Sequence, residues 1–289
     1  MRGKIIKGVG GFYYVSAEGK VYECKAKGIF RALGIRPLPG DDVEMDVLSE
    51  EDAEGNVTRI LERKNELIRP AVANVDQAMI VVARTDPKPN PGLIDRFLIS
   101  MESRGVTPLI CLNKQDLEAD DGDLAPIYRQ AGYTVFETSA EEGEGVEELQ
   151  QSLWGKTTVL AGPSGVGKST LINRLCPEAA METGEISQKI RRGRHTTRHT
   201  EWFALNADTF LLDTPGFTSI WIEDLEPDEL SAYYEEFTPF VPDCRFAGCV
   251  HVGERECGVK RAVKAGKIPL IRYRNYCQIY EELKEQKKY

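Results

Sequence analysis

The stretch GPSGVGKST, residues 162–170, carries the chemistry of phosphate binding. Gly162, Gly167, Lys168 and Ser169 complete the pattern G-x-x-x-x-G-K-[ST], with Pro163, Ser164, Gly165 and Val166 between the glycines and Thr170 closing the run. Backbone N–H groups of such a loop cradle phosphate oxygens at a helix N-terminus, the lysine neutralises the β and γ groups, and the serine hydroxyl holds Mg²⁺. Side chains would block that close approach, so the pattern needs its glycines. A tetrapeptide earlier in the chain, NKQD at 113–116, is suited to reading a base. The carboxylate of Asp116 offers two acceptors to the ring N–H and exocyclic amine of guanine, and adenine has no matching donors. Asn113 can bond the base and tie loops together, and the stem of Lys114 can lie along the ring. In TSA at 138–140, which includes Ser139, the Ala140 N–H is placed to meet the guanine carbonyl. DTPG at 213–216 supplies Asp213 for Mg²⁺, through water, and the Gly216 N–H for the γ-phosphate, so that hydrolysis would release the loop that follows. Cys244, Cys249, His251 and Cys257 form C-x4-C-x-H-x5-C, a donor set suited to one closed, tetrahedral zinc site. Cys24, Cys111, Cys176 and Cys277 stand alone and read as packing residues.

Motifs of this kind stand on the ends of rigid strands. QAMIVVAR (77–84) and TPLICLNK (107–114) are near-continuous apolar runs, as expected of strands covered on both faces. Between them Leu93, Phe97, Leu98 and Met101 recur at helical spacing. YTVFETSA, TTVLAGPSG and DTFLLDTPG add further strands, each running into one of the motifs above. Strands alternating with helices predict a doubly wound α/β domain whose functional loops lie at the carboxyl ends of the strands. The first 70 residues differ: β-rich runs surround a turn at 16–19, and DDVEMDVL and NVTRILERK form a later pair. Four or five short strands without a helix predict a small barrel of the OB type. After about Asp224 the strands stop, EPDELSAYYEEF reads as helical, and a basic amphipathic helix closes the chain. The expected domains are 1–70 (barrel), 71–223 (α/β) and 224–289 (helical, zinc-binding).

Composition narrows the class. The 289 residues are 41% hydrophobic and 29% charged, with no apolar run of membrane-spanning length. The start lacks the apolar centre of a signal peptide, and seven cysteines do not suggest a secreted disulfide framework. A cytoplasmic protein, monomeric and free of membranes, is expected. The net charge of −9 hides basic segments: residues 1–36 hold eight Lys/Arg against two Asp/Glu, 260–289 hold nine against three, and 186–200 hold five against none. Such segments can form a footprint for a polyanion.

With NKQD and TSA ahead of the phosphate loop and DTPG, the chain resembles the circularly permuted GTPases, in which the usual order of motifs is reversed. Barrel, permuted GTPase and zinc module in that order resemble the ribosome small-subunit-dependent GTPase family, often called RsgA, over essentially the whole chain. The resemblance implies a GTP hydrolase that engages the small ribosomal subunit late in its maturation and is stimulated by it. It also implies that barrel and zinc module contact ribosomal RNA. Many GTPases orient the attacking water with a glutamine directly after the glycine of the second switch. Phe217 occupies that position and cannot do so. In the family a first-switch histidine is implicated instead, which makes His195 of GRHTT the candidate to position water and Thr197 a ligand of Mg²⁺ and γ-phosphate. The alternative from another class is a nucleotide-gated, non-catalytic RNA-binding module. A permuted GTPase of the large subunit and an ATP-using kinase are opposed by the barrel and zinc cluster and by Asp116, respectively.

Overall fold

The computed structural model describes residues 1–26, 28, 30, 34–68, 71–118, 123–177, 201–206, 208–213, 222 and 225–287. His195, Thr197, Gly216 and Phe217 lie outside the described residues. The first elements are β1 (Arg2–Val9), β2 (Phe12–Ala17), β3 (Lys20–Ala26), β4 (Asp42–Ser49), β5 (Glu54–Ile60), β6 (Glu66–Leu67) and β7 (Val72–Ala73). There follow β8 (Gln77–Ala83), α1 (Pro91–Glu102), β9 (Thr107–Asn113), α2 (Ala125–Gln130), β10 (Val135–Glu137), α3 (Val146–Leu153) and β11 (Thr157–Ala161). Last come α4 (Lys168–Leu175), β12 (Glu201–Ala204), β13 (Phe210–Asp213), 3-10 helices at Leu230–Tyr233 and Glu235–Asp243, α5 (Gly258–Lys264) and α6 (Leu270–Gln286).

Contacts group these elements into two compact units. One comprises Met1–Ala78, Glu147–Ala161 and Ser169–Pro215; the other comprises Met79–Val146, Gly162–Lys168 and Gly216–Tyr289. In the first unit, β1 to β5 close a barrel in the order β1-β2-β3-β5-β4. β1 pairs antiparallel with both β2 and β4, and β3 runs parallel to β5, the pairing of an OB-type barrel. Alternate residues point inward, so Ile5, Val15, Tyr22, Val43, Met45 and Val57 are all buried in one core. Each such side chain contributes about 1.5–3 kcal/mol on burial. The sequence reading expected one turn in the first run, at 16–19, but a second one at Gly10 and Gly11 divides β1 from β2. Both glycines have positive φ, 61° and 89°, a tight connection that side chains disfavour. Buried Asp41, just before β4, takes two bonds from Arg63, at 2.7 and 2.9 Å, and a third from the Leu38 N–H at 2.7 Å. This bidentate pair joins the loop before β4 to the segment leaving β5. The same unit holds β11 beside β13 in parallel and β12 antiparallel to β13.

In the second unit β8, β9 and β10 are neighbours, with β9 and β10 parallel. All seven residues of β8 are buried, as its uninterrupted apolar sequence requires. α1 starts at Asn90, whose side chain caps the Leu93 N–H, with Pro91 at the first helical position. The stretch expected to be one helix near 226–237 is 3-10 instead. Pro239 and Pro242 interrupt α-helical bonding, and Tyr234, Phe237 and Phe240 recur every third residue, the period of a 3-10 turn. Tyr234 and Phe237 are fully buried with Tyr276 and Ile279 of α6 in a core that also contains Cys257.

Candidate functional site

The NKQD segment, expected to read the base, begins at the end of β9. Asn113, the strand's last residue, is 1% exposed, and both ends of its amide bond neighbouring loops. Nδ2 donates to the Val166 carbonyl in the phosphate loop at 2.9 Å, while Oδ1 accepts from Thr138 Oγ1 and the Ala140 N–H, each at 3.0 Å. One side chain thus joins NKQD, TSA and the phosphate loop. The Ala140 N–H, expected to face the guanine carbonyl, is here donated to Asn113. Lys114 adopts a left-handed turn (φ 66°) and its ammonium donates to the Asp86 carbonyl at 2.6 Å. Asp116 is braced by Ser139, whose hydroxyl donates to Oδ1 at 2.6 Å. Ser139 is held in turn: its hydroxyl accepts the Glu142 N–H at 3.1 Å and its N–H donates to Glu144 at 3.0 Å. Gly145 allows that closure, because a Cβ there would collide with the Glu137 carbonyl.

The phosphate loop leaves β11 with Gly162, Gly165 and Gly167 at φ 144°, 84° and 92°. A Cβ on Gly162 would strike the Val81 carbonyl, and one on Gly167 would strike the Asn113 amide. The two glycines that the motif demands are therefore also demanded by packing against β8 and β9. Ser164 and Gly165 are exposed and Val166 is buried, so the tip of the loop faces solvent while its far side is anchored. Lys168 folds over the loop and donates to the Gly162 and Pro163 carbonyls at 2.7 and 2.8 Å. Ser169 and Thr170 stand in the first turn of α4, which buries Leu171, Ile172 and Leu175, and Asp213 ends β13. Ser169 and Asp213 belong to the first compact unit, the loop up to Lys168 to the second.

Cys244, Cys249, His251 and Cys257 come together, their ligand atoms all within 4.8 Å of one another. Cys244 Sγ lies 3.9 Å from Cys257 Sγ and 3.6 Å from His251 Nδ1, which is 3.4 Å from Cys257 Sγ. A tetrahedral ion with Zn–S of about 2.3 Å has sulfur–sulfur edges of about 3.8 Å, so these residues fit one small tetrahedral metal ion. Backbone N–H groups of Gly258 and Lys260 point at Cys244 and Cys257 sulfur, at 3.3 and 3.5 Å. Burial opposes ionisation of Cys244, but hydrogen bonds from the Gly258 and Val259 N–H groups and from Cys249 and Cys257 together outweigh it and draw its thiol below the ordinary range. Burial pushes Cys249 up to about 12 and lowers His251, which favours the neutral imidazole that binds metal. Sequence reasoning missed what holds this loop. Tyr273 and Tyr276 of α6 donate to the His251 and Val250 carbonyls at 2.8 and 2.7 Å. Nothing in their local sequence separates them from ordinary core tyrosines.

It also missed a buried charge cluster. Arg272 (1% exposed) bonds Asp95 on α1 at 2.5 Å and Glu236 at 2.7 Å, and lies 4.4 Å from the Tyr234 ring centroid. Burial alone would depress its guanidinium, but Asp95 and Glu236 more than offset this and hold it well above the arginine range.

A phosphate loop braced by a base-reading turn that precedes it in the chain defines a P-loop GTPase with permuted motif order. The chain belongs to the RsgA GTPase family, matching the RsgA GTPase description over residues 60–223 and the RsgA N-terminal domain over 2–57. A relative from Agathobacter rectalis, named small ribosomal subunit biogenesis GTPase RsgA, is 51% identical and both chains are covered completely. One of the same name from Alkaliphilus metalliredigens is 49% identical over 100% of this chain and 99% of its own. Among solved structures, YjeQ from Thermotoga maritima matches with TM-score 0.81 and 36% identity, covering 98% of each chain. YloQ, described as a circularly permuted GTPase, matches with TM-score 0.78 and 37% identity, covering 99% of this chain and 95% of its own.

Proposed function

We propose that this GTPase hydrolyses GTP slowly by itself and faster on the small ribosomal subunit, in a late step of that subunit's maturation. The observation that carries the nucleotide reading is the Asn113 amide, which fixes base-reading and phosphate-binding segments to one another. The subunit comes from the name its full-length relatives bear. Asp116, oriented by Ser139, selects guanine, with Lys114 and Ala140 beside the base. The N–H groups from Gly162 to Thr170 hold the phosphates, and Lys168 exchanges its two loop carbonyls for phosphate oxygens. The Ser169 hydroxyl and Asp213 carboxylate are hard oxygen donors of the kind Mg²⁺ takes, with Thr197 as a third. When bound, that ion neutralises charge on the β and γ oxygens. Gly216 meets the γ-phosphate, and His195 orients the attacking water where Phe217 cannot. Slow turnover follows, because water alignment waits on an ordered first switch.

The barrel (1–70) and zinc module (224–289), which precede and follow the GTPase domain (71–223) in sequence, hold ribosomal RNA through their basic segments. Zinc fits the three-cysteine, one-histidine set. The protein acts as a monomer in the cytoplasm; no helix among the described residues is long and apolar enough to cross a membrane.

The test is GTP hydrolysis by the purified chain alone, with small subunits and with large subunits. Stimulation by small subunits only, lost in Lys168→Ala, is expected. His195→Ala should spare GTP binding and reduce stimulated turnover about 100-fold or more, the lower end for a positioned acid–base group. Full stimulation in His195→Ala would remove that assignment. Tight GTP-dependent subunit binding without stimulation would favour the nucleotide-gated binding module.

A further inference from the structure

We infer that guanine nucleotide binding and metal occupancy of the Cys244–Cys257 cluster are positively linked, through α6 and the buried Asp95–Arg272 pair. The inference rests on the reading of both sites given above. Asp95, 0% exposed on α1, is saturated by groups from elsewhere. Its Oδ1 accepts from Arg272 at 2.5 Å and the Tyr128 hydroxyl at 2.9 Å, and its Oδ2 accepts from Asn275 at 2.6 Å. Arg272 turns its Nε and Nη2 to Glu236 at 2.7 and 3.3 Å. A buried ion pair with this many directed bonds has no slightly shifted alternative, because displacement strands charge away from both water and partner.

The same two turns of α6 hold the metal loop. Arg272 and Asn275 bond Asp95, while the adjacent Tyr273 and Tyr276 hydroxyls bond the carbonyls of His251 and Val250. His251 sits at φ 60°, a backbone conformation that needs outside support. The position of α6 is therefore set from both sides. At the other end, α1 begins from the loop whose Asp86 carbonyl takes the Lys114 ammonium at 2.6 Å. Pro87, Leu93 and Ile94 line a small apolar cleft with Pro163 and Val166 of the phosphate loop. The grouping of contacts agrees: the base-reading segment, residues 162–168 and the C-terminal module fall in one compact unit. Metal binding orders the loop and fixes α6, α6 fixes α1, and α1 supports the loops on which nucleotide rests. Ordering a shared element once, for two ligands, makes the second bind more tightly.

The experiment uses the full chain, loaded with zinc or stripped by a chelator, and fluorescently labelled GDP. Stripping should weaken GDP at least about fivefold, the low end of allosteric coupling, and saturating GDP should strengthen zinc binding by the same factor in a chelator competition. If both ligands bind and neither affinity responds to the other, the inference is wrong. A chain that binds no GDP, or no zinc, would instead overturn the site reading. Asp95→Asn should bring the linkage factor towards one while its Co²⁺-substituted form keeps tetrahedral thiolate absorption. Full linkage in that variant would reject the route. Tyr276→Phe, which deletes only a hydroxyl, carries the same expectation if Asp95→Asn does not fold.

Discussion

A carboxylate that distinguishes guanine, the role proposed for Asp116, must present its oxygens at a fixed angle, and the Ser139 hydroxyl holds Asp116. The Ser139 hydroxyl, 2.6 Å from Oδ1, sets the plane and leaves that oxygen a second lone pair for the base. Asp116→Asn keeps the size and replaces one acceptor with a donor, which opposes the guanine amine and suits the C2 carbonyl of xanthine. Each mispaired buried group costs about 1–3 kcal/mol, roughly five- to 150-fold in affinity. Competition of labelled GDP by GDP and XDP should therefore reverse in favour of XDP; an unchanged guanine preference would take Asp116 out of the base site. The motif residues themselves are legible in sequence because their chemistry dictates type and spacing. How they are tied is not: Asn113 meets Val166 across 53 positions, and local pattern says nothing about such a pair.

At the scale of elements, α1 ends in a carboxylate that its surroundings disfavour. Burial raises Glu102 to about 7, with Glu235 and Glu236 adding to the effect and the Tyr133 hydroxyl and Arg272 opposing it. A carboxyl whose folded pKa is raised binds its proton more tightly when folded. Its contribution to stability is full below about 4.5 and lost as pH passes about 7. Thermal melts should show stability falling with pH across that window, and Glu102→Gln should flatten the fall; an identical slope in the variant would exclude Glu102 as its source. The helix carrying this residue was readable from the spacing of Leu93, Phe97, Leu98 and Met101. The 3-10 segment opposite it was not, because a run of acids and aromatics resembles an amphipathic helix until the three-residue period and Pro239 and Pro242 are given weight. The division of the first barrel run at Gly10 and Gly11 escaped for a similar reason: adjacent glycines in a β-rich stretch mark either a bulge or a turn, and pairing across the barrel decides which.

Over the whole molecule, the barrel core and the C-terminal core depend on different forces. The barrel core of Ile5, Val15, Tyr22, Val43, Met45 and Val57 is apolar and enclosed by strands paired on both sides. The C-terminal core contains Cys257 of the candidate metal cluster and packs directly against two more of its residues, Cys244 and Cys249. Structural zinc sites contribute about 10–16 kcal/mol in small modules, as large as the entire stability of a typical domain. Chelation should therefore open the C-terminal core and spare the barrel. Hydrogen exchange followed by mass spectrometry separates the two, since amides of 225–287 should lose protection under chelator while those of β1 to β5 keep theirs. The cluster thiols need to lose protons before they bind metal, and burial holds Cys249 near 12 without it. Acidification should then favour the open state at fixed metal concentration, so the chelator concentration for half-opening should fall as pH is lowered. Equal loss of protection in barrel and C-terminal peptides would mean that the cores unfold together, and that the metal supports the chain as a whole.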